Sequence, residues 1–585
     1  MLETKFRTNT CGELNKSNVK QDTVLAGWCH SRRDHGGLIF VDLRDRYGLT
    51  QVVFNPESKE AFKEADKLRR EDVIQIKGKV VPRKPGMENP KLPTGDIEVE
   101  VIELNVLNKA ETPPIEIDDR TEANEDLRLK YRYLDLRRPV MANKLMLRNR
   151  VAQATREYLN SMNFVEVETP LLIRATPEGA RDYIVPSRTR PGKFFALPQS
   201  PQLYKQILMV SGMDRYFQLA KCLRDEDLRA DRQPEFTQID MEMSFIDEED
   251  VYKLCEGLVK TIWKKGINVD LKIPFPRMTY QEAMEKYGSD KPDLRFGVEL
   301  IDITEIATKS DFEVFKKSDV VKCICVPAEL SRNDVDKYTE FAQKLGAKGM
   351  VYIKVTEKGL ESSVVKYFKE EQQKQLVERT GAKTGNTLLI IADRRKKANE
   401  ILGQLRLEVG KNLSLIVPGW KFIWITKFPL FEYNEEEQIW TPMHHIFSTP
   451  HEECIKYLEE DPGMVTGKLY DLALNGIELG GGSIRIHKKE LQEKVLKVIG
   501  MTYEQAEKRF GFLLNSFRYG APPHGGLAFG LDRICALMSG TNDIREVIAF
   551  PKNKNAECPM DECPSDVEPI QLKELHIKID IPKKK

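Results

Sequence analysis

The sequence predicts an α+β protein of several domains: a small β-barrel, a larger domain built on an antiparallel sheet, and a further α+β domain inserted into the larger one. The chain of 585 residues is too long for one hydrophobic core. Short alternating segments fill the first 108 residues, which is typical of a β domain. Helix and strand patterns run from about 136 to 291 and resume in the same style at 419, so the simplest account of residues 292–418 is an insertion.

Residues 1–108 predict an OB-fold barrel. Five alternating segments, VLAGWCHSRR, GLIFVDLRD, LTQVVFN, DVIQIKGKVV and DIEVEVIELNVL, are separated by turn residues, and the helical stretch SKEAFKEADKLRRE follows the third. Such barrels bind single-stranded nucleic acid through an aromatic platform with flanking cations. An aromatic in a small barrel is more often a core residue, so both interpretations stay open. The candidates for nucleic-acid contact are Arg32, Arg33, Phe40 and Gln51.

The other boundaries follow from composition and pattern. Two prolines and the acidic run EIDDRTEANED predict a hinge over residues 109–135. The helical pattern MANKLMLRNRVAQATREYLNSM and the strand FVEVETPLLI open a domain whose first part covers 136–291 and whose second part covers 419–557. The inserted domain, 292–418, has strands such as VVKCICVP and NTLLIIA between charged helices, and residues 558–585 form a C-terminal extension.

One segment of the larger domain concentrates charge. Nine charged side chains fall between Cys222 and Asp240, and from Phe236 the residues alternate between an apolar face and a face that carries Asp240 and Glu242. The preceding run from Arg215 also alternates, so the two runs predict a hairpin joined by a charged loop. A solvated loop on an exposed sheet is the usual explanation of such a run. The acidic strand face instead suits a cationic or hydrogen-bonding ligand.

Composition excludes several classes of protein. Lys plus Arg equals Asp plus Glu at 91 each, so the chain is not a globally basic nucleic-acid binder, although a local basic patch remains compatible with it. No apolar run is long enough to span a membrane, and the polar N-terminus is not a signal peptide. Ten scattered cysteines suit a reducing cytoplasm. The pairs Cys323/Cys325 and Cys558/Cys563 lack a second pair at zinc spacing, so no zinc is predicted.

Further segments supply arginines, acids and glycines. The segment IELGGGSIRIHKKE places Glu478 and Arg485 around three consecutive glycines, which would let a ligand approach the backbone closely. In GLAFGLDRI, Arg533 stands at the start of a helix, where a cation and backbone amides suit a phosphate. The nearest match to a phosphate-binding loop, GMVTGKL, has the wrong spacing. A nucleotide would therefore be bound by arginines on an antiparallel sheet.

These segments together resemble the class II aminoacyl-tRNA synthetases, and within that class the bacterial-type aspartyl-tRNA synthetases. FVEVETP resembles motif 1 of the class, CLRDEDLRADRQPEFTQID motif 2, and GLAFGLDRI motif 3. The family signatures KYRYLDLRRP, ATPEGARDY, ALPQSPQLYKQ, YGSDKPDLR and GGGSIRIH follow in order, and the resemblance covers nearly the whole chain. The insertion at 292–418 matches the extra domain of the bacterial-type enzymes.

The resemblance implies three sets of site residues. In it, Asp240 accepts the substrate ammonium, Lys205 and Arg485 bind the side-chain carboxylate of aspartate, and Phe236 stacks on adenine. Aspartate-binding residues are Glu178, Gln202, Lys205, Arg224, Asp240, His444 and Arg485. ATP-binding residues are Arg224, Asp225, Glu226, Gln233, Phe236, Glu478, Gly530, Leu531, Asp532 and Arg533. Catalysis falls to Arg224, Glu478 and Arg533, and Asp471 and Glu478 are the expected Mg²⁺ ligands.

The implied reaction is the ATP-dependent attachment of L-aspartate to tRNA through an aspartyl-adenylate, with release of pyrophosphate and AMP. The resemblance also implies a cytoplasmic homodimer, with motif 1 at the dimer interface. Arg485 is expected to lack any carboxylate partner other than the substrate. Asparagine, which cannot neutralise that cation, should then be rejected strongly.

Two barrel residues bear on which tRNA is charged. In this family a Leu at the position of His35 resembles enzymes restricted to tRNA(Asp), whereas His35 with Gly86 resembles the relaxed enzymes that also charge tRNA(Asn). An imidazole and a residue without a side chain leave room for either third anticodon base. The alternative is that His35 is only a surface loop residue.

Two rival functions differ from aspartylation in the sequence features that they predict. A non-catalytic tRNA-binding relative is expected to lack Arg224, Glu478 or Arg533, and all three are present. A synthetase-like enzyme that makes free asparagine is expected to lack the barrel, which this chain has. Aspartate-dependent exchange of pyrophosphate into ATP, followed by charging of tRNA, separates the three.

Overall fold

The five predicted barrel strands form a closed barrel at the start of the chain. In this computed structural model, which describes residues 3–175 and 180–581, the strand order is β1-β2-β3-β5-β4, and α1 follows the third strand. Inward-facing residues such as Val41, Val52 and Ile76 are fully buried. The OB-fold prediction is confirmed. The elements are β1 (Asp22–His35), β2 (Leu38–Arg44), β3 (Leu49–Phe54), α1 (Lys59–Ala65), β4 (Val73–Pro82) and β5 (Ile97–Asn108).

The segment after the barrel folds into short helices, α2 (Glu125–Lys130) and α3 (Arg132–Asp135), before α4 (Pro139–Ser161) begins. The carboxylate of Asp135 is completely buried and accepts hydrogen bonds from Arg128, Arg132 and Arg138 at 2.7–3.0 Å. Burial alone would raise the pKa of Asp135, but these arginines lower it. The stretch KYRYLDLRRP is thus held by a buried ionic network.

The chain divides into two units, Met1–Met146 with Arg545–Asp566 and Leu147–Ile544 with Val567–Lys585. The finer domain boundaries given above stay a prediction. No helix in the described ranges has the length and apolar character that crossing a membrane requires.

The second unit opens with the motif 1 strand and the predicted hairpin. Helix α5 lies between the short strands and that hairpin, and α6 follows it. The elements are β6 (Val165–Glu166), β7 (Ile184–Pro186), β8 (Phe194–Ala196), α5 (Gln202–Val210), β9 (Arg215–Leu223), β10 (Glu235–Ser244), α6 (Glu248–Ile267), β11 (Arg277–Thr279) and α7 (Tyr280–Tyr287).

The predicted insertion contains its own antiparallel sheet, ordered β12-β13-β16-β14-β15. Its strands carry apolar residues on both faces, and helices cover each face with a separate hydrophobic cluster. The elements are β12 (Leu300–Asp302), α8 (Thr304–Ala307), α9 (Glu313–Lys316), β13 (Val320–Val326), α10 (Arg332–Lys344), β14 (Val351–Thr356), β15 (Gly359–Glu361), α11 (Glu370–Thr380), β16 (Thr387–Asp393) and α12 (Arg395–Asn412).

The strands that follow the insertion complete the sheet that precedes it. The eight-stranded order is β11-β17-β20-β21-β22-β10-β9-β6, with all pairs antiparallel except the two at its edges. The central antiparallel sheet was predicted and is confirmed. The elements are β17 (Phe422–Thr426), β18 (Phe431–Asn434), β19 (Ile439–Pro442), β20 (Leu469–Leu474), β21 (Ile477–Ile484), α13 (Lys489–Val498), α14 (Tyr503–Ser516), β22 (His524–Gly530), α15 (Leu531–Met538) and α16 (Pro569–Glu574).

Candidate active site

The predicted charged hairpin is present in the eight-stranded sheet, between β22 and the edge strand β6. Strands β9 and β10 pair antiparallel, with Phe236 opposite Cys222 and Asp240 opposite Gln218. The acidic face of β10 does not face solvent, because Asp240 is 1% exposed and Glu242 is fully buried. Charges in such an environment need partners. The chain itself supplies those partners.

Four buried side chains form an ionic cluster. Lys205, on α5, donates to Asp240 Oδ1 at 2.6 Å and lies 3.2 Å from Glu242 Oε2. Arg485, just beyond β21, donates to both oxygens of Glu242 at 2.9 and 3.2 Å. This two-point guanidinium–carboxylate geometry is the strong form of such a pair. Two cations and two anions therefore neutralise one another without a ligand.

The sequence-based expectation that Arg485 has only the substrate carboxylate as its partner was wrong. Glu242, which lies on the predicted acidic face, already occupies one edge of its guanidinium. Alternation placed Glu242 beside Asp240 but could not show that β21 brings an arginine opposite it. Asparagine rejection must then come from the arrangement of the whole cluster and not from a single unpaired cation.

The cluster shifts the ionisation of its acids in opposite directions. Burial alone would raise the pKa of Glu242, but Arg485 and Lys205 outweigh burial and lower that pKa to about 2. Burial raises the pKa of Asp240, because Lys205 offsets it only in part and Glu242 adds to it. A positive group placed near Asp240 would favour its ionised form.

His445 and Ser483 belong to this cluster and were not predicted as site residues. Arg485 donates to Ser483 Oγ at 2.7 Å and to Nε2 of His445. Burial and the neighbouring Arg485 hold the pKa of His445 well below its usual range, so the imidazole is neutral and can accept at Nε2. The pattern MHH indicated a histidine here but did not show which of the two contacts the arginine.

Three of the residues predicted for the site each have a buried polar atom without a hydrogen-bond partner in the described ranges: Gln202 Nε2, Asp240 Oδ2 and Arg224 Nε. An unmet donor or acceptor in a protein interior is costly, so it calls for a ligand or water. One carboxylate oxygen and two N–H donors complement the ammonium and carboxylate groups of an amino acid. The sequence-predicted residues Gln202, Asp240 and Arg224 therefore each keep one buried polar atom for a ligand.

A second pocket begins further along the same strand face. Arg224 covers one face of the Phe236 ring, with its guanidinium carbon 5.1 Å from the ring centre. Since alternate residues of a strand share a face, this pocket continues from the one beside Asp240. Its lining is Arg224, Glu226, Leu228, Asp231, Arg232, Gln233, Phe236, Gln238, Glu478, Leu479, Gly480, Ala528, Gly530, Asp532, Arg533 and Ile544.

Helix α15 is tied to β10 by Asp532. Its Oδ2 accepts the backbone N–H of Thr237 at 2.7 Å, and its other oxygen pairs with Arg148 of α4. The next residue, Arg533, donates to the carbonyl of Glu478 at 2.5 Å and lies 3.6 Å from Asp231. Asp532 thus positions the helix whose first turn aims Arg533 into the pocket.

Two predicted ATP-binding residues, Asp225 and Leu531, do not line this pocket. The backbone N–H of Asp225 donates to the carbonyl of Arg181 at 3.1 Å, and its carboxylate lies 4.0 Å from the Arg181 guanidinium. Leu531 is 2% exposed and packs in the core. Glu178 lies outside the described residues. Their assignments stay predictions from the resemblance.

The two expected Mg²⁺ ligands lie on paired strands, where Asp471 of β20 is opposite Gly481 and Glu478 of β21 is opposite Ala473. Burial, with Asp471 adding to it, raises the pKa of Glu478, and Arg533 opposes the rise. Nε2 of His444 lies 3.6 Å from Asp471 Oδ2, and this pairing outweighs burial and raises the pKa of His444. Two neighbouring carboxylates that destabilise each other fit a divalent cation with oxygen ligands.

The consecutive glycines of β21 are required first by the packing of the chain itself, because neighbouring atoms occupy the space of a side chain. A Cβ at Gly481 would lie 2.1 Å from Asp471 Oδ1, and a Cβ at Gly482 would lie 2.0 Å from the carbonyl of Gly526. The expectation that these glycines simply open space for a ligand needs this correction. At position 481 the space is occupied by the carboxylate of a predicted metal ligand.

The barrel candidates lie on its outer face. Phe40 is half-buried and is absent from the barrel core cluster, which favours a platform. Arg33 donates to Asp42 at 3.0 Å and to Gln51 at 3.4 Å, and Gln51 donates to Glu98 at 2.7 Å.

The other barrel candidates lie at loops and at a strand edge. Arg32 donates to the carbonyl of Ala65 at 3.0 Å. His35 is exposed at the end of β1, opposite Leu38. Gly86 has a left-handed φ of 85°, and a Cβ there would meet nothing within 4 Å.

Potential zinc ligands meet at one place in the described part of the chain. Ligand atoms of Cys558, Asp561 and Cys563 lie within 4.8 Å of one another in the first unit. Asp561 is exposed, and hydrogen bonds from both thiols lower its pKa. The other cysteine pair, Cys323 and Cys325, is not part of such a group among the described residues.

Comparison with known proteins finds two matching families, one for the synthetase domain and one for the OB-fold barrel. The family described as tRNA synthetases class II (D, K and N) matches residues 124–554, and the OB-fold nucleic acid binding domain matches residues 23–107. A protein of Caldanaerobacter subterraneus subsp. tengcongensis named aspartate–tRNA(Asp/Asn) ligase is 52% identical over 583 residues, with 98% of each chain covered. One of Ruminiclostridium cellulolyticum named aspartate–tRNA ligase is 50% identical over 581 residues, again with 98% of each chain covered.

Solved structures share the fold at low sequence identity. The asparaginyl-tRNA synthetase from Pyrococcus horikoshii complexed with asparaginyl-adenylate has a TM-score of 0.59 at 20% identity, covering 93% of this chain and 97% of that one. The aspartyl-tRNA synthetase from Entamoeba histolytica has a TM-score of 0.56 at 19% identity, covering 92% and 90%.

Proposed function

Because the chain belongs to the class II tRNA synthetases of the D, K and N group, we propose that it attaches L-aspartate to tRNA(Asp) through an aspartyl-adenylate. Relatives about 50% identical over nearly the whole chain carry this activity in their names. The observation that carries the proposal is the buried ionic cluster, in which Asp240 keeps one unpartnered oxygen that complements the ammonium of an amino acid.

The cluster supports selection of aspartate. Asp240 Oδ2 would accept the ammonium, and Lys205 with Arg485 would hold the side-chain carboxylate. Of the five N–H donors of Arg485, Glu242 takes two and Ser483 and His445 take one each, which leaves one donor for a second anion. Neutral His445 accepts from the same guanidinium and fixes its orientation.

Activation needs no nucleophilic side chain. The substrate α-carboxylate attacks the α-phosphorus of ATP, a new P–O bond forms, and the bond to the pyrophosphate leaving group breaks. Arg224, whose Nε is unpartnered, would neutralise the α-phosphate, and Arg533 at the far side of the pocket would hold the γ-phosphate. Catalysis is then positioning with charge stabilisation.

Asp471 and Glu478 would hold Mg²⁺, which neutralises phosphate charge when bound. The protein's own contribution is to keep two carboxylates together in a partly buried place, with Arg533 limiting their repulsion. In the transfer step the terminal adenosine hydroxyl of the tRNA attacks the aspartyl carbonyl carbon, and AMP leaves. We propose that an oxygen of the adenylate phosphate takes the hydroxyl proton.

We further propose that tRNA(Asn) is charged as well. The exposed His35 and the open space at Gly86 support room for either third anticodon base. Some relatives are named for both tRNAs and others for tRNA(Asp) alone.

A homodimer in the cytoplasm completes the proposal. Large apolar side chains are exposed along motif 1 and the adjoining strands, as an unfilled interface requires. A translation enzyme acts where tRNA is. The exposed residues are Met162, Val165, Leu171, Leu172, Phe194 and Phe195, at 37–52% exposure.

The test is aspartate-dependent exchange of labelled pyrophosphate into ATP, followed by charging of tRNA(Asp) transcript. Exchange with aspartate but not asparagine, and then charging, is the expected result. Exchange without charging would support a synthetase-like enzyme with another acceptor. Absence of exchange in a folded, Mg²⁺-supplied protein would refute the proposal.

A further inference from the structure

A surface pocket of the second unit gathers three cations that the reaction described above does not use. Its lining is Arg174, Ala175, Ile499, Gly500, Met501, Gln505, Lys508 and Arg509. Among the described residues no carboxylate lines it, and the side chains of Arg174, Lys508 and Arg509 have no ion pair or hydrogen bond. In a chain with equal numbers of acids and bases, three unpaired cations in one concavity mark an anion site.

This pocket is one helix away from the aspartate cluster. Helix α14, which carries Lys508 and Arg509, packs on α5 through Tyr204 and Phe512, whose ring centres are 6.1 Å apart. The next residue of α5, Lys205, points into the buried ionic cluster. Helix α5 therefore has the aspartate site on one side and the helix that bears the cations on another.

The strand pairing before α5 brings the third cation to the same region. Ile173 forms a bridge with Ala196, which precedes the loop that leads into α5. Arg174 is the next residue after that bridge. The pocket shares no lining residue with the one around Arg224 and Phe236, so it is separate from the nucleotide pocket.

We propose that Arg174, Lys508 and Arg509 bind backbone phosphates of the single-stranded 3′ end of the tRNA. This inference rests on the proposed function, whose second step must bring a polyanion to the aspartate site. The chain has no net charge, so a local cluster of cations has to attract that strand. Phosphate contacts position a strand without reading its sequence, which suits an end that different tRNAs share.

The test compares tRNA(Asp) with the same tRNA shortened by its 3′ single strand. The variants are Lys508→Gln, Arg509→Gln and the pair together; both side chains are exposed, and Gln keeps helix propensity close to that of Lys and Arg. Lys494→Gln, an exposed lysine of α13 outside the pocket, is the matched control.

For full-length tRNA we expect the dissociation constant to rise about tenfold per lost cation. The slope of log affinity against log salt should fall by about 0.7 for each lost single-strand phosphate contact. The shortened tRNA and the Lys494→Gln protein should show neither change. Equal losses with both tRNAs would place the contact elsewhere on the tRNA, and unchanged binding of full-length tRNA would leave these cations merely solvated. Either outcome overturns the proposal.

Pyrophosphate exchange, in which no tRNA takes part, separates this inference from the proposed function. If the wild-type protein exchanges pyrophosphate and charges tRNA while the variants bind both tRNAs normally, only the pocket assignment fails. If the wild-type protein does neither, the proposed function itself fails. A small anion would be the occupant if inorganic phosphate at millimolar concentration protected the pocket but tRNA did not, which again contradicts the proposal.

Discussion

The aspartate cluster and the outer face of the barrel both carry charges, but in opposite surroundings. Lys205, Asp240, Glu242 and Arg485 have side chains that are at most 2% exposed, whereas the side chain of Arg33 on the barrel is 55% exposed. Buried charges interact through a weakly screening medium, and exposed ion pairs contribute about 0–1 kcal/mol. We therefore expect that loss of one member of the buried network abolishes selection of the amino acid. Loss of one contact on the barrel should weaken recognition of the tRNA only in part.

The largest effect is expected when Arg485 is removed. Arg485→Leu leaves Glu242 as a buried anion with Lys205 alone, which should lower the free energy of unfolding by about 3–5 kcal/mol. Aspartate-dependent pyrophosphate exchange should fall by about 10³-fold or more, because the side-chain carboxylate loses its forked partner. Denaturant unfolding and exchange assays measure the two losses.

A second substitution separates those two losses. Adding Glu242→Leu removes the stranded anion, so stability should largely return while exchange stays absent. If the single Arg485→Leu variant is as stable as the wild type, the stability of the protein does not depend on the pairing of Glu242 with Arg485. Normal exchange in either variant would remove Arg485 from the aspartate site.

Lowering the pH should weaken the ionic cluster, because Glu242 becomes protonated and loses its charge. The folded pKa of about 2 lies below the ordinary value of 4.5, so the stabilisation is present above pH 4.5 and is lost as pH falls toward 2. The deficit of Glu242→Gln relative to wild type, about 3 kcal/mol at neutral pH, should shrink across that interval. Urea unfolding at pH 7, 4.5 and 3.5 measures it, with exposed Glu504→Gln as control. A deficit that is constant with pH would contradict the pairing with Arg485.

Substitutions in the nucleotide pocket should have effects between those in the buried aspartate cluster and those on the exposed barrel face. Arg224→Ala or Arg533→Ala should slow adenylate formation by about 10²-fold or more, the size of one lost preorganised contact. Stability should change little, since each arginine lines the pocket and Arg533 offsets the charge of Glu478 only in part. Pre-steady-state adenylate formation is the measurement, and binding of tRNA is the control. A near-normal rate in both variants would contradict the ATP-site assignment.

Sequence reasoning predicted most of this arrangement, and its failures have a common cause. Alternation predicted the β9–β10 hairpin and the barrel strands, because strand periodicity is local information. Pairing of Glu242 with Arg485 depends on strands that are 243 residues apart in sequence, so no local pattern contains it. The contact of His445 with Arg485 escaped for the same reason. Gly481 looked like space for a ligand because the position of Asp471 on the next strand was unknown.

On the barrel, removal of a single aromatic should give a moderate effect. Phe40→Ala deletes the half-buried ring beside Arg33 and should raise the KM for tRNA about tenfold, consistent with about 1–3 kcal/mol per stacked base. Pyrophosphate exchange is the internal control, since no tRNA takes part in it. An unchanged KM would show that the ring only covers the barrel.

The smallest effect is expected at His35. The wild-type protein should charge tRNA(Asp) and tRNA(Asn) transcripts at comparable rates, because His35 is exposed and Gly86 presents no side chain to the third anticodon base. His35→Leu replaces an adaptable hydrogen-bonding ring by an apolar group, which should lower charging of tRNA(Asn) about fivefold more than that of tRNA(Asp), or roughly 1 kcal/mol. Asp34→Asn, at the adjacent exposed position, is the control and should affect both tRNAs alike. A wild-type preference for tRNA(Asp) of about 10³-fold, roughly 4 kcal/mol, would refute relaxed recognition, because relaxed recognition requires comparable charging of the two tRNAs.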